Sequence, residues 1–359
     1  MENVILFGAS KYGLSVLYYV QSRYNVLYFC DNDSRKWGER IEDIEVISPD
    51  QLAGLNYSKI IIASTFYKEI AVQLHNMSIY NFERIEINTY KDTNNDLGMY
   101  KKLFGEEATE NRRFYNIGAG QFRHSAWQNV DYASDWYAMN QVDIQWNLLE
   151  NTPLPVESNS ASVVYTSHTV EHIPNISAQN MFNEAYRILK EGGTFRVTTP
   201  NIDLAYNAFK KNDRYFYKLI DTYSTKEQME RVNIIKPMNE ASIHQVFLFH
   251  FAGQTSSLHA DPNTVKISDE ELEHTFKTLP YDQALDYCVS KCSLEIQNKY
   301  PGNHINWWNQ TKLFQSLKEA GFKNVYLSAY SQSASPVLRN TDLFDNTHPE
   351  NSIYVEAIK

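Results

Sequence analysis

Short apolar runs alternate with an amphipathic stretch in the first part of the chain. Residues 4–7, 26–30 and 59–63 form apolar runs of strand length, and residues 12–21 carry apolar side chains at helical spacing. Parallel strands need a crossover connection, so strands that alternate with helices favour βαβ units and a parallel sheet. We therefore predict an α/β domain with a parallel sheet over residues 1–92.

A second series of the same kind begins at Phe114. Strands are predicted at 114–117, 129–132, 162–166 and 194–198, with a helix at 177–190 that Gly192-Gly193 ends. After Asn201 the alternation stops, and a mainly helical insert is predicted over residues 202–306. A helix at 311–320 and strands at 324–330 and 353–358 complete the second domain, 113–359, and the polar residues 93–112 are interpreted as a linker.

Composition and charge limit the classes of molecule that the protein is expected to bind. The 359 residues include 43 acidic and 33 basic side chains, a net charge of −10, which is unfavourable for duplex DNA and suits a small-molecule or neutral glycan substrate. No apolar run approaches the ~20 residues of a membrane span. No basic segment precedes the first apolar run, and the three cysteines form no disulfide framework, so the sequence predicts a cytoplasmic protein.

A glycine turn follows the strand at 114–117. Gly118 and Gly120 flank Ala119, and Asp131 lies at the end of the next predicted strand. Glycines let the backbone turn sharply and approach a ligand. A carboxylate at that strand end can accept hydrogen bonds from both hydroxyls of a ribose. The sequence therefore predicts a nucleoside site at this turn.

Further motifs extend the pattern. They are Arg123, Trp127 and Val130-Asp131; Asn147-Leu148 before Pro153-Leu154-Pro155-Val156; Ser167-His168-Thr169-Val170-Glu171-His172-Ile173; Glu184-Ala185-Tyr186-Arg187-Ile188-Leu189-Lys190-Glu191-Gly192-Gly193; Pro200-Asn201; and Leu317-Lys318-Glu319-Ala320-Gly321-Phe322. With these motifs, residues 114–201 and 311–358 resemble class I S-adenosylmethionine-dependent methyltransferases. More narrowly, they resemble predicted methyltransferases encoded among bacterial surface-polysaccharide genes.

The resemblance implies two Rossmann-like domains in series, the second with a class I methyltransferase fold, and S-adenosylmethionine as cofactor. It assigns cofactor binding to Asn116, Gly118, Gly120, Asp131, Asn147, Leu148 and Ser167. Two positions depart from the family pattern, which has Cys or Ser at Ala119 and often Asp at Asn147. Because an amide still accepts and donates hydrogen bonds, adenine recognition is expected to be weakened rather than lost.

Candidate catalytic residues follow the fourth strand of the second series. His168, Glu171 and His172 are spaced i, i+3 and i+4, and His304 precedes the last helix, where the resembled family often has an active-site histidine. A hydroxyl acceptor must lose a proton, and histidine is the usual base near neutral pH. Related quinone O-methyltransferases carry E-x-x-E-H here, a trio that resembles a magnesium site. His168 in place of the first Glu argues against magnesium and for a transition metal or none, and no metal is assigned. The alternative is a structural Glu171-His172 pair.

The insert adds weaker candidates. His244, His250 and His259 are further histidines that could contact a substrate, and Trp307-Trp308 could stack on a sugar ring. Buried aromatic and hydrogen-bonded structural roles remain the alternatives for all of them.

The first domain has its own glycine turn. Gly8, Ser10 and Gly13 occupy the glycine positions of G-x-G-x-x-G, and Asp31 ends the second strand. The domain resembles the N-terminal Rossmann-like domains of sugar acyltransferases. Two interpretations stay open: nucleotide or nucleotide-sugar binding at Gly8–Gly13, and a structural role in a homo-oligomer.

The function predicted from the sequence is O-methylation of a sugar or nucleotide-linked sugar in surface-polysaccharide biosynthesis. The alternative is a non-catalytic nucleotide-sugar-binding or scaffold protein with a degenerate methyltransferase domain. Nucleic-acid methylation is disfavoured, because adenine-N6 enzymes place N-P-P-Y where this chain has Ser167-His168-Thr169-Val170.

Overall fold

Two β-sheets organise the protein, one in each of two structural units, Met1–Asp92 and Thr93–Lys359. The computed structural model describes residues 2–21, 23–64, 66–84, 96–120, 122–132, 142–217, 223 and 225–359. None of the helices within these ranges combines the length and the apolar character that crossing a membrane requires.

The first unit is a six-stranded sheet with the strand order β3-β4-β2-β1-β5-β6. Its elements are β1 Glu2–Phe7, α1 Lys11–Val20, β2 Tyr24–Cys30, β3 Arg40–Ile41, β4 Ile44–Ile47, β5 Lys59–Ile62, α2 Tyr67–Asn76 and β6 Phe82–Arg84. All pairs are parallel except β3 with β4. Val4 through Leu6 and Ile60 through Ile62 are fully buried, as expected for central strands covered on both faces. The predicted parallel α/β sheet is confirmed.

The second unit is a seven-stranded sheet with the order β12-β13-β11-β10-β7-β8-β9. Its strands are β7 Phe114–Ile117, β8 Trp127–Asp131, β9 Ile144–Gln145, β10 Ala161–Ser167, β11 Leu189–Pro200, β12 Asn324–Leu327 and β13 Ser352–Ile358, and its flanking helices include α5 Asn175–Ile188 and α12 Gln310–Glu319. The last strand, β13, runs antiparallel to both neighbours. Numbered from β7, the order is 3-2-1-4-5-7-6 with a reversed seventh strand, which is the class I methyltransferase fold.

The predicted linker is wrong for the residues that the structure describes there. Helices α3 (Asp96–Phe104) and α4 (Glu106–Glu110) occupy this stretch. Tyr100 is fully buried, and its hydroxyl accepts a hydrogen bond of 2.7 Å from Trp127 Nε1. Its ring also meets Phe114 edge-on, with centroids 4.9 Å apart. A few apolar side chains in a polar stretch therefore attach these helices to the second sheet.

The predicted end of the helix at 177–190 is also wrong. Helix α5 ends at Ile188, and Leu189 already pairs with Ala161 in the sheet. Gly192 has a φ of +74° within the long strand β11, so the two glycines shape the start of that strand instead of ending the helix.

The insert is mainly helical, as predicted, and has a core of its own. Its helices are α6 Ile202–Lys210, α7 Lys226–Arg231, α8 Ile243–Phe251, α9 Asp269–Thr278, α10 Tyr281–Val289 and α11 Leu294–Lys299. Val246, Phe247 and Leu248 of α8 are fully buried at the centre of that core. The end of the insert is joined to the turn after β10, because the backbone N–H of Ile305 donates to the carbonyl of Glu171 (2.8 Å). This contact brings insert residues to the carboxyl end of the sheet.

Candidate functional site

A cavity of about 190 Å³ opens at the carboxyl ends of β7, β8 and β10. In open α/β sheets this edge is where ligands bind. Five of the seven predicted cofactor residues line it: Gly118, Gly120, Asp131, Asn147 and Leu148. Asn116 is buried within β7 and Ser167 ends β10, and neither lines the cavity.

The two glycines of the turn differ in the space around the position that a Cβ atom would occupy. Both have positive φ, +68° at Gly118 and +51° at Gly120. A Cβ on Gly118 would lie 2.2 Å from Thr169 Oγ1, so this glycine is required by packing. A Cβ on Gly120 would meet nothing within 4 Å. Gly120 therefore faces open space, and a larger side chain there would project into the cavity.

Asp131 places a partly buried carboxylate against the same turn. Its Oδ2 accepts a hydrogen bond from the backbone N–H of Gly120 (2.8 Å), and its Oδ1 accepts one from Tyr132 (2.7 Å). Burial raises the pKa of Asp131, and these two hydrogen bonds offset part of that effect. Among the described residues, no cationic side chain forms an ion pair with it. A carboxylate in this position can accept further hydrogen bonds from a ligand.

The Asn147 side chain forms hydrogen bonds within the backbone turn that it begins. Its Oδ1 accepts from the backbone N–H of Leu149 (3.1 Å), and its Nδ2 donates to Glu150 Oε1 (3.0 Å). The side chain is thus an N-cap of a short 3₁₀ turn. A ligand that uses this amide would compete with Glu150.

A second cavity of about 260 Å³ lies beside the first, and His168 lines both. Its walls are largely aromatic and come mostly from the insert. The aromatic side chains are Phe216, Tyr217, Tyr223, Phe249 and Tyr300, and the imidazoles are His168, His250, His304 and His348. The sequence analysis missed these aromatic residues, because they share no period and come from separate helices and turns.

Glu171 is the buried centre of the histidine cluster between the cavities. The residue is 2% exposed, and its Oε2 accepts a hydrogen bond from Thr199 Oγ1 (3.0 Å). Its Oε1 lies 3.1 Å from His168 Nδ1 and 4.0 Å from His172 Nε2. Burial alone would raise the pKa of Glu171, but the neighbouring histidines, His168 first, hold it at about 2. The side chain is therefore an anion at neutral pH.

The hydrogen bonds of His172 and His304 define their tautomers. His172 Nδ1 lies 3.0 Å from the carbonyl oxygen of Asn303, and His304 Nδ1 lies 2.7 Å from that of His250. A carbonyl oxygen only accepts, so each Nδ1 carries the hydrogen and each Nε2 of the neutral ring presents a lone pair. The two rings meet edge-on with centroids 4.7 Å apart. The predicted catalytic residues are thus brought together by the fold.

Burial keeps two of the histidines neutral. It lowers the pKa of His304 to about 3 and that of His250 to about 4. His304 lines the second cavity, whereas His172 lines the first. The cluster therefore presents the uncharged imidazoles of His250 and His304 toward the second cavity, beside the carboxylate of Glu171.

Several weaker candidates lie elsewhere. His244 pairs with Glu273 (3.1 Å), and His259 accepts from the backbone N–H of Asp261 (3.2 Å); neither lines the two cavities. His250 does line the second cavity. Trp307 and Trp308 have the buried role that the sequence analysis gave as the alternative to stacking on a sugar. Both are buried, 4% and 2% exposed, and they pack against the Lys312 ammonium at 4.0 and 4.5 Å.

The glycine turn of the first unit is closed by its own residues. A Cβ on Gly8 would lie 2.3 Å from the Ala63 carbonyl oxygen, so this glycine is required by strand packing. Ser10 Oγ accepts from the backbone N–H of Gly13 (3.2 Å) and caps α1. Asp31 Oδ2 accepts from the backbone N–H of Ala9 (2.7 Å) and pairs with Lys36 (3.0 Å).

Two family models match parts of the chain. Residues 1–85 match a family described as C2185-like, N-terminal, and residues 125–197 match the methyltransferase domain family. The second match extends from β8 into β11. It includes Asp131, Asn147, Leu148, His168, Glu171 and His172, but not Gly118, Gly120 or His304. The second unit is thus similar, over residues 125–197, to methyltransferase domains. No curated protein shows significant sequence similarity to this chain.

Similar solved structures fall into two groups. The first unit is similar to UDP-D-quinovosamine 4-dehydrogenase from Vibrio fischeri (19% identity, TM-score 0.22, covering 29% of this chain and 89% of that one). A longer stretch is similar to a SAM-dependent methyltransferase, a possible histamine N-methyltransferase, from Thermotoga maritima. The identity is 12% and the TM-score 0.32, and the match covers 82% of this chain and 96% of that one. Another similar structure is that of an S-adenosylmethionine-dependent methyltransferase from Mesorhizobium loti. The identity is 12% and the TM-score 0.30, and the match covers 69% of this chain and 90% of that one. At these TM-scores the functional interpretation depends instead on the family-model match and the site.

Proposed function

We propose that the second unit transfers a methyl group from S-adenosylmethionine to a hydroxyl oxygen of a sugar. The observation that carries this proposal is the pair of adjoining cavities. The first is built around Gly120 and Asp131, the second is walled by the insert, and His168 borders both. A donor and an acceptor can therefore meet at one point.

The first cavity suits the nucleoside part of the donor. Asp131 has no cationic partner among the described residues, so ribose hydroxyls can donate to the free lone pairs of its carboxylate. Gly120 leaves the space beside it open. The adenine is then expected toward Asn147 and Leu148, at the other wall of the cavity.

The second cavity suits an uncharged, ring-shaped acceptor. Aromatic side chains form much of its wall, and sugar rings stack on aromatic faces. Among the described lining residues there is no lysine or arginine, and Glu350 is the acidic one. The described part of these walls offers no lysine or arginine to a diphosphate, which favours a free or glycan-linked sugar over a nucleotide-linked one. The role in surface-polysaccharide synthesis is supported by the motif resemblance.

The histidine cluster would activate the acceptor. Methyl transfer is an in-line displacement that depends chiefly on alignment, and near-attack positioning supplies much of the rate. The acceptor hydroxyl must also lose its proton. His168, Glu171, His172 and His304 are the proposed catalytic residues, because they lie where the two cavities meet and the Nε2 lone pairs of His172 and His304 are available.

Calorimetry with S-adenosylhomocysteine tests the donor assignment. Binding in the micromolar range is expected for the full chain, and Asp131→Asn should weaken it, because the amide replaces one acceptor oxygen with a donor group. No binding at high micromolar ligand would remove the proposed function and leave the non-catalytic alternative. Transfer of labelled methyl from S-adenosylmethionine to glycans, compared with amine and nucleic-acid acceptors, then tests the acceptor class.

A further inference from the structure

We propose that Glu171, His172 and His304 bind a divalent transition-metal ion where the two cavities meet. The inference rests on the proposed function for the ion's role, which is to activate the acceptor hydroxyl. The binding of the ion can be tested without any methyl transfer. The sequence analysis predicted no metal, and His304 comes from the far end of the insert.

The three proposed ligand atoms lie close together in this structure. One carboxylate oxygen and one nitrogen from each histidine all lie within 4.8 Å of one another. In a tetrahedral site with ligands ~2.1 Å from the ion, the ligand atoms are ~3.4 Å apart. Side-chain rotations that bring the three atoms closer by about 1 Å would therefore close the cluster around one ion.

Both imidazoles are oriented as metal ligands usually are. A histidine that binds a metal typically donates its other ring N–H to a carbonyl or carboxylate, which holds the ring and the tautomer. Here the backbone carbonyls of Asn303 and His250 accept from Nδ1 of His172 and His304. In the neutral rings, both Nε2 atoms consequently have a lone pair that can bind a metal ion, and no proton has to leave them first.

Glu171 Oε1 lacks a hydrogen-bond partner although it is buried. Its nearby side-chain nitrogens are His168 Nδ1 at 3.1 Å and His172 Nε2 at 4.0 Å. Buried carboxylates are usually paired with a cation or bound to a metal, and this oxygen of Glu171 is available for such a contact.

A small void adjoins the cluster. It measures about 10 Å³ and is lined by Glu171, His250 and His304 among others. Space of this size approaches the ~10–15 Å³ that holds a single water molecule. The void is too small for an organic ligand, and it adjoins two of the three proposed metal ligands, Glu171 and His304.

The donor set selects the kind of ion. Two imidazoles and one carboxylate suit Zn²⁺ and related transition ions, whereas Mg²⁺ prefers oxygen ligands. An acceptor hydroxyl that binds such an ion has a lowered pKa. The hydroxyl proton leaves to solvent water, the oxygen–methyl bond forms, and the sulfur–methyl bond breaks with its electron pair retained on sulfur. The products are the methyl ether and S-adenosylhomocysteine.

Titration of the chelator-treated full-length protein with Co²⁺ tests the inference, because Co²⁺ bound to imidazole absorbs in the visible. One Co²⁺ per chain is expected, displaced by Zn²⁺. Glu171→Gln and His304→Ala should each weaken Co²⁺ binding at least ~100-fold, since losing a residue that only orients a ligand already costs ~10–100-fold. His274→Ala, an exposed histidine of α9, is the matched control and should change nothing.

S-adenosylhomocysteine binding by the same variants shows whether they remain folded. If they bind it normally and Co²⁺ binding falls only in the cluster variants, the metal site is supported. If the unaltered protein binds S-adenosylhomocysteine and transfers methyl without binding Co²⁺ or Zn²⁺, the metal inference is overturned and the proposed function stands. If it binds Co²⁺ at the cluster but no S-adenosylhomocysteine, the proposed function fails and the metal site stands.

Discussion

The two glycine turns of this protein share one hydrogen-bonding arrangement but differ in their surroundings. In each unit, a carboxylate at the end of the second strand accepts a hydrogen bond from a backbone N–H of the turn. The bonds are Asp31 with Ala9 (2.7 Å) and Asp131 with Gly120 (2.8 Å). The carboxylate thus stabilises the turn in both units, whatever else it does.

The difference lies in what surrounds the two carboxylates. Asp31 is paired with Lys36, and Ser10 of the turn beside it caps α1. Asp131 has no such cation among the described residues and faces a cavity beside Gly120. A glycine turn and a strand-end acid therefore indicate a Rossmann-like turn, but only the surrounding charges and space distinguish a closed turn from a binding site.

The largest effect is expected for Gly120→Val. The backbone there has a φ of +51°, which a β-branched residue adopts poorly, and the new side chain would project into the cavity. Binding of S-adenosylhomocysteine should fall ~100-fold or more, about 3 kcal/mol. Calorimetry measures it, with thermal unfolding to show that the protein remains folded. Undiminished affinity would mean that the donor does not occupy this turn.

Removing each carboxylate compares the two turns directly. Asp131→Ala should weaken S-adenosylhomocysteine binding by about 1–3 kcal/mol, the scale of a lost hydrogen bond to a charged group. Asp31→Ala should leave that binding unchanged and lower the unfolding temperature of the first unit. Equal loss of binding in both variants would contradict the distinction between an open and a closed turn.

Acid should destabilise the second unit more than the first. Burial lowers the pKa of His259 to about 4, from an ordinary value near 6.5, so the folded state stays neutral while the unfolded state binds a proton. Stability is therefore expected to fall as the pH drops from about 6.5 to 4, by up to about 3 kcal/mol for this residue. His259→Gln should flatten that part of the curve, measured by urea unfolding at several pH values. A pH-independent second unit would refute the prediction.

The smallest effect is expected for Lys36→Met. Its ion pair with Asp31 is partly exposed, and such pairs contribute about 0–1 kcal/mol. Chemical unfolding should register a loss in that range. Nucleotide or nucleotide-sugar binding should not appear, because Ser10 still caps α1. Binding gained on this change would show that Lys36 alone keeps the first turn closed.

Sequence patterns predicted much of both sheets, because central strands covered on both faces are continuous apolar runs. They also predicted Gly118, Gly120 and Asp131 together, since strand, turn and next strand are close in sequence. The linker at 93–112 was mispredicted, because Tyr100 makes its contacts with residues of β7 and β8 and not with its own neighbours. Both a buried and a sugar-stacking role stayed open for Trp307 and Trp308, because composition cannot tell a buried ring from an exposed one.

The sequence by itself determined the two α/β units, the position of each glycine turn and the identity of the strand-end acids, because local spacing and burial pattern encode them. The tertiary structure alone decided which turn stays open, which walls form the second cavity and which histidines share Glu171. Those outcomes depend on contacts between segments far apart in the chain, such as the hydrogen bond from Ile305 to Glu171. The chemistry of the site arises where the insert meets the carboxyl end of the sheet.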